Sequence, residues 1–198
     1  MIKIISGKKK EIPREIYENM LKLRYKAYLE KEFIKKNKEK IYGDEYDEKA
    51  MHFIALDDGK VVGALGIIHD KLPLEAIFKE EKKELMKKLK AKKAIEFSKL
   101  AVDPKYRIGD RKIKDKNKFV SFKIYKKVYK YLFKKRIDLF LIAVNPCYAK
   151  RYEKSGFKKY GKQKDYPRVE NNPAVLMYQT RFMFFKVLLK KLNFLNLS

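Results

Sequence analysis

Apolar and polar positions change period several times along the chain, and each change marks an element. Residues 94–102 and 137–144 read as two strands that end near Pro104 and Pro146, and the second is apolar on both faces, as a central strand covered on both sides must be. Between them Phe122, Tyr125, Tyr129 and Leu132 recur at helical spacing, with Lys123, Lys126, Lys127, Lys130 and Lys134 on the other faces. This predicts one long helix whose aromatic face is core. Strand, helix and strand in that order form a right-handed parallel crossover. Asn145-Pro146 then opens a short helical run at 147–155, closed by Gly156-Phe157.

The rest of the chain reads around that unit. A short strand at 2–5 precedes Pro13, and Ile16, Met20, Leu23 and Ala27 then recur on one face, predicting an amphipathic helix that reaches about Phe33. The run 35–40 is solvated charge, and Gly43-Asp44-Glu45-Tyr46-Asp47-Glu48 is acidic. Apolar runs at 52–56 and 61–68 flank Asp57-Asp58-Gly59-Lys60, a hairpin signal. Residues 72–93 turn helical, with Leu74, Phe78, Leu85 and Leu89 as the apolar set. After Phe157 come a strand to about Gln163, a polar loop at 164–172 and a last strand at 174–180. Beyond it Phe182, Phe185, Leu188, Leu189, Leu192 and Leu195 recur at helical spacing among Arg181, Lys186, Lys190 and Lys191. Such a basic amphipathic tail, residues 181–198, either lies on an anionic membrane surface or closes the core or an oligomer contact. The organisation predicted is one domain at 1–180 followed by that tail.

Charge narrows the partners. The 198 residues carry 51 Lys and Arg against 25 Asp and Glu, a formal net charge of +26, yet 45% are hydrophobic, so the chain is globular. Only 8 of the 51 are Arg, leaving 43 Lys. Base reading and bidentate phosphate clamping favour Arg, so this balance argues against nucleic acid and for a general attraction to acidic partners. One cysteine, Cys147, and two histidines, His52 and His69, exclude an internal disulfide and leave no His-Glu-x-x-His pair, so no metal is expected. The start of the chain does not read as a signal peptide and no uncharged stretch approaches a bilayer span, which predicts a cytoplasmic protein.

The order of parts from 94 to 157 resembles the second half of the GCN5-related N-acyltransferase (GNAT) fold, whose last helix carries a Tyr shortly before a Gly-Phe pair; here that Tyr is Tyr152. The resemblance implies an α/β, three-layer fold with a mixed central sheet, a parallel strand-helix-strand crossover and splayed central strands. Acyl transfer to an amine needs an extended thioester, a neutral amine, a stabilised oxyanion and a proton for the thiolate. In a protein of this shape the donor's pantetheine arm would lie where the central strands diverge. Glu96 and Ser98 share a face of the first strand by the two-residue period. Glu96 is then a candidate general base or amine-orienting carboxylate, against a plain salt-bridged strand carboxylate. Tyr152 is a candidate general acid, against an amphipathic core tyrosine.

Most members of that superfamily bind coenzyme A through a loop of the type Arg/Gln-x-x-Gly-x-Gly/Ala that opens the crossover helix. Here the stretch 108–117 has one glycine, Gly109, and places Asp110 where a pyrophosphate would sit. The coenzyme A site therefore reads as absent or rebuilt, which points to acyl carrier protein as thioester donor. Lys112, Lys114, Lys116 and Lys118, with Lys123 and Lys127 of the helix, are placed to steer such an acidic partner; a solvated face is the competing reading.

Further motifs resemble two related families. Leu23-Arg24-Tyr25-Lys26-Ala27-Tyr28, Gly43-Asp44-Glu45-Tyr46-Asp47 and Glu96-Phe97-Ser98-Lys99 are similar to the acyl-homoserine-lactone autoinducer synthases. Val144-Asn145-Pro146 through Tyr152 to Gly156-Phe157, and Tyr166-Pro167 through Asn172-Pro173-Ala174-Val175-Leu176, resemble the long-chain N-acyl amino acid synthases. The resemblance implies that Arg24, Asp44 and Asp47 build the acceptor side, with Tyr28 and Asn145 on the substrate side and Glu96 and Ser98 at the reacting centre. Lys99 stands where both families usually have Arg, keeping the charge without the bidentate fork.

The function this implies is transfer of a long-chain fatty acyl group from acyl carrier protein to the α-amino group of an amino acid or similar small amine. The acyl-phosphopantetheine thioester arrives with the carrier, and no cofactor is bound. Three other readings stay open: autoinducer synthesis from S-adenosylmethionine, coenzyme A-dependent N-acetyl transfer, and a non-catalytic basic module for nucleic acid or anionic lipid.

Overall fold

In the computed structural model, which describes residues 1–107, 120–166 and 173–196, the predicted hairpin joins β2 (Met51–Asp57) to β3 (Lys60–Ile68). Asp58 and Gly59 carry φ of 46° and 80°, the pair of positive values that a two-residue turn matched to strand twist requires. Among the described residues seven strands form one mixed sheet in the order β1-β2-β3-β4-β5-β7-β6. The others are β1 (Lys3–Gly7), β4 (Ala94–Val102), β5 (Leu139–Val144), β6 (Lys158–Asp165) and β7 (Pro173–Thr180). The helices are α1 (Arg14–Leu29), α2 (Glu75–Lys88), α3 (Val120–Lys135), α4 (Pro146–Glu153) and α5 (Arg181–Asn196). The chain divides into two interleaved groups of segments, Met1–Ile68 with Ser98–Val128, and His69–Phe97 with Tyr129–Ser198.

In the first group β1 pairs antiparallel with β2 from Lys3↔Leu56 to Gly7↔His52, and β2 with β3. Met20 of α1 packs with Ile12, Ile54, Leu56 and Ala64. The sequence pattern carried α1 to about Phe33, but it stops at Leu29. Glu32 takes φ 56°, and the Phe33 N–H turns back to the Tyr28 carbonyl at 3.0 Å. The Phe33 ring meets Tyr28 edge-on at 5.8 Å, the apolar contact that accompanies this kind of helix ending.

In the second group β4 pairs in parallel with β5 over three residues, Ala94↔Leu139, Ile95↔Phe140 and Glu96↔Leu141, although β4 runs on to Val102 and β5 to Val144. β5 pairs antiparallel with β7 along its whole length. Leu139, Phe140, Leu141 and Ile142 are all buried, as predicted for a central strand. β6 is paired to β7 with a register shift between Tyr160 and Lys164, and Gly161 takes φ 71° there, where a residue with a side chain would be strained.

α3 corrects one expectation. Its buried stripe is Val120, Ile124, Val128 and Leu132, spaced four apart, and not the Phe122, Tyr125 and Tyr129 series. Tyr129 instead stacks on Phe184 and Phe185 of α5 at 5.6 and 5.7 Å. Phe184 is buried and meets Phe140 and Phe97 edge-on at 5.5 and 6.3 Å, so α5 follows β7 directly and contributes to this group's core. α2 is shorter than the 72–93 predicted; its Phe78 and Leu85, and Leu74 just before it, are buried as expected, while Leu89 just past its end is only half-buried.

Candidate active site

Arg24, Asp47, Lys99 and Asp44 come from three separate stretches of sequence and close on one another in the first group. The helical period that buries Met20 and Leu23 on α1 also turns Arg24 inward. A buried guanidinium needs an anion, and Arg24 Nη1 donates to Asp47 Oδ1 at 2.7 Å. Asp47 is placed by the 3₁₀ turn Glu45–Glu48. Asp44 caps that turn by accepting from the Tyr46 N–H at 3.0 Å, while Asp47 Oδ2 accepts from the Asp44 N–H at 3.0 Å. Lys99 Nζ then donates to Asp47 Oδ2 at 2.9 Å and also to Asp44 Oδ1. Two cations and two carboxylates leave the cluster formally neutral. The ammonium does not need the missing fork, because its rotatable donors span two separate carboxylates.

His52, which the sequence patterns did not single out, completes the cluster. It is fully buried on β2, with Nδ1 3.3 Å from Arg24 Nη2 and Nε2 3.0 Å from the Asp47 carbonyl. A guanidinium can only donate and a carbonyl can only accept, so the ring is the neutral tautomer with its proton on Nε2. Burial, and after it the Arg24 cation, push the imidazole down to about 4. Burial opposes ionisation of Asp47, yet Arg24, Lys99 and the Asp44 N–H together hold its carboxyl well below the usual carboxylate range. The one sequence signal for His52 was its position on the strand that begins just after Asp47.

Lys99 also departs from the simple alternation expected of β4. Its φ is 55°, the left-handed region that costs a side-chain-bearing residue about 1–2 kcal/mol. The strict two-residue period that placed Glu96 and Ser98 on one face therefore breaks directly after Ser98. Ser98 is half-buried, and its carbonyl lies 3.4 Å from where a Cβ on Gly66 would stand.

Glu96 belongs to the second group. Its carboxylate is buried, and Oε2 accepts the Leu74 N–H at 2.9 Å, where Leu74 is the residue that caps α2. Tyr152, on α4, meets Phe157 edge-on at 6.0 Å, and burial pushes its phenol up from the ordinary 10. Asn145 caps α4, its side-chain oxygen accepting the Cys147 N–H at 3.0 Å. Gly156 ends the segment with φ 89°, and a Cβ there would meet Gln179 Nε2 at 2.6 Å and Val187 at 2.5 Å, so only glycine fits the turn.

The remaining candidates are distributed. Tyr28 is half-buried and lies against Phe33 and Tyr42, the latter ring 4.9 Å away. Lys123 is half-buried and Lys127 exposed on α3. Lys112, Lys114, Gly109 and Asp110 lie outside the described residues. Among the described residues no group of His, Cys, Asp and Glu could hold a metal ion, and no helix is long and apolar enough to cross a membrane.

Comparison with known proteins supplies the context. A family model described as N-acyl amino acid synthase FeeM matches residues 19–180. Among solved structures, FeeM, an N-acyl amino acid synthase from uncultured soil microbes, superposes with a TM-score of 0.71 at 19% identity, covering 92% of this chain and 93% of that one. The acyl-homoserine-lactone synthase LasI gives 0.64 at 16% identity over 91% and 90%. BjaI, a coenzyme A-dependent acyl-homoserine lactone synthase, gives 0.65 at 17% over 94% and 87%. Comparison with curated proteins found no match by sequence.

Proposed function

This chain belongs to the FeeM family of N-acyl amino acid synthases and is an acyltransferase, and from that premise we propose that it moves a long-chain fatty acyl group from acyl carrier protein to the α-amino group of an amino acid. Glu96 orients the amine and takes its proton. The neutral nitrogen attacks the thioester carbonyl carbon and the C–N bond forms; with the first proton passed on to solvent, Glu96 takes the second proton that the nitrogen now sheds, and the tetrahedral oxyanion collapses with cleavage of the C–S bond. Tyr152, whose phenol holds its proton at neutral pH and is pushed up further by burial, supplies a proton to the departing thiolate. Ser98 lies two residues from Glu96 on β4 and helps to position the reacting groups. The thioester arm would follow the edge of β5 at 142–144, beyond the last β4 pair at Glu96↔Leu141, where extended backbone can accept an added strand-like ligand.

On the acceptor side the cluster members divide by accessibility. Arg24 is wholly buried and committed to Asp47, so it acts on the acceptor by fixing Asp47. Asp44, whose side chain keeps 24% of its surface, is the cluster member that this reading lets the acceptor reach, with Tyr28 on the same side of the substrate. The observation that carries this reading is the closure of Arg24, Asp44, Asp47 and Lys99 on one another from three distant stretches. Lys123 and Lys127, together with Lys112 and Lys114, steer the acidic carrier.

The test is product analysis by mass spectrometry. The protein is incubated with acyl carrier-protein or acyl-coenzyme A donors, each with mixed α-amino acids or with S-adenosylmethionine. N-acyl amino acid formed from the carrier-protein donor is expected. Exchanging Lys123 and Lys127 for Glu should lower kcat/KM with that donor about tenfold at low salt, while leaving a short acyl-pantetheine donor unaffected. Lactone formation from S-adenosylmethionine, or a preference for the coenzyme A donor, would overturn the reading.

A further inference from the structure

Among the described residues five large hydrophobic side chains are exposed, and apart from Met1 all of them, Phe133, Phe182, Phe185 and Leu189, lie on α3 and α5. Phe182, Phe185 and Leu189 are spaced three and four apart, so they form one outward stripe along α5. Phe133 joins that stripe through Tyr129, whose ring lies 6.1 Å from Phe133 and 5.7 Å from Phe185. Beneath the stripe Phe184 is buried against Tyr129, Phe140 and Phe97, which holds the outer rings in place.

The charged side chains that α3 and α5 set around this face are cations, and the neighbouring Asp138 gives its carboxylate to the Lys92 and Lys93 N–H groups. Lys130, Lys134, Lys135, Arg136 and Lys186 are exposed around it, and the Arg181 guanidinium lies 5.7 Å from the Phe182 ring centre. The sequence has no Asp or Glu at 120–137 and none after 170. An exposed apolar patch of this kind wants an apolar phase, and its cations want a negative surface. A second copy of the chain would satisfy the rings but set cations against cations across a two-fold contact. An acidic soluble protein would satisfy the rim but leave the projecting phenylalanines without a deep apolar phase. An anionic bilayer satisfies both at once.

We propose that the face built from Phe133 of α3 and Phe182, Phe185 and Leu189 of α5 inserts into the headgroup region of an anionic lipid bilayer, with Lys130, Lys134, Arg136 and Lys186 on lipid phosphates. The surface rests on geometry and charge alone; its use, delivery of a fatty N-acyl product into the membrane, rests on the proposed function.

Co-sedimentation of the full chain with phosphatidylglycerol-phosphatidylcholine vesicles and with pure phosphatidylcholine vesicles tests it. Binding to the anionic vesicles is expected, weakened but not abolished by high salt, because the rings contribute a salt-insensitive part. F182S/F185S and K134E/R136E should each weaken it about tenfold or more. Equal binding to both vesicle types, no binding, or wild-type binding by both variants would overturn the proposal, as would displacement from vesicles by a soluble acidic carrier protein. The far-ultraviolet circular dichroism of F182S/F185S and its acyl transfer from a soluble donor should match the parent. Lost vesicle binding with intact transfer in the parent protein would sink this inference alone, whereas vesicle binding without any transfer would sink the proposed function alone.

Discussion

Asp47 and Glu96 are both buried carboxylates, 3% and 4% exposed, yet they are held by different means. Asp47 sits between two cations, with Arg24 on one oxygen and Lys99 on the other, and its charge is fixed. Glu96 takes a neutral donor, the Leu74 N–H at the start of α2, on one oxygen. A carboxylate locked between cations is suited to holding geometry, because protonating it would strand both partners. A carboxylate that accepts a backbone N–H keeps that bond on one oxygen while a proton is taken up and returned. The contrast is the one the proposed roles require, with Asp47 in architecture and Glu96 in proton transfer.

The strongest way to break that assignment is Asp47→Ala. It leaves Arg24 and Lys99 buried without their shared anion, and stability to urea should fall by about 3–5 kcal/mol. A loss of under about 1 kcal/mol would mean that water already screens the cluster and that Asp47 does not hold it together.

Acid titration of stability sharpens the same point through His52. Its imidazole lies at about 4 in the fold against an ordinary 6.5, so between those values the unfolded chain binds the proton and the folded chain does not. Stability from this group is complete above pH 6.5 and is lost as pH falls toward 4, by about 3 kcal/mol in all. Asp47 acts in the same sense at lower pH: its contribution is present above its ordinary value and is lost as pH falls below it. In His52→Gln the slope between pH 6.5 and 4 should flatten in urea midpoints measured across pH; an unchanged slope would place the proton elsewhere.

Glu96→Gln should do the reverse of Asp47→Ala. The amide oxygen can still accept the Leu74 N–H, so urea midpoints should move by less than about 1 kcal/mol. Turnover should fall about a hundredfold, near 2.7 kcal/mol in the barrier. Full activity in steady-state assays would remove Glu96 from the chemistry and leave it a helix-capping residue.

How far the sequence carried depended on whether each signal was local. The Asp58-Gly59 turn and the doubly apolar β5 were legible because a backbone angle or a burial pattern is written in neighbouring residues. Glu32 in the left-handed conformation is not, so the apolar pattern overruns the end of α1. Periodicity points to the wrong face of α3 because that helix has apolar residues on two sides: Val120, Ile124 and Val128 meet the core, while Tyr129 meets α5, and spacing alone does not rank the two. Arg24, Asp44, Asp47 and Lys99 were found through motif resemblance, which supplied the long-range proximity that spacing lacks. His52 belonged to no such motif, and its role exists only once β2 brings the ring beside Arg24.

The positive φ of Lys99 sets two demands on a single codon. A glycine would relax the backbone but abandon Asp44 and Asp47, whereas any longer cation must accept the same twist in order to reach them. A side chain at this site must therefore carry a positive charge and tolerate the twist, and Lys99→Arg is the exchange that keeps both without rebuilding the loop that bears Asp44.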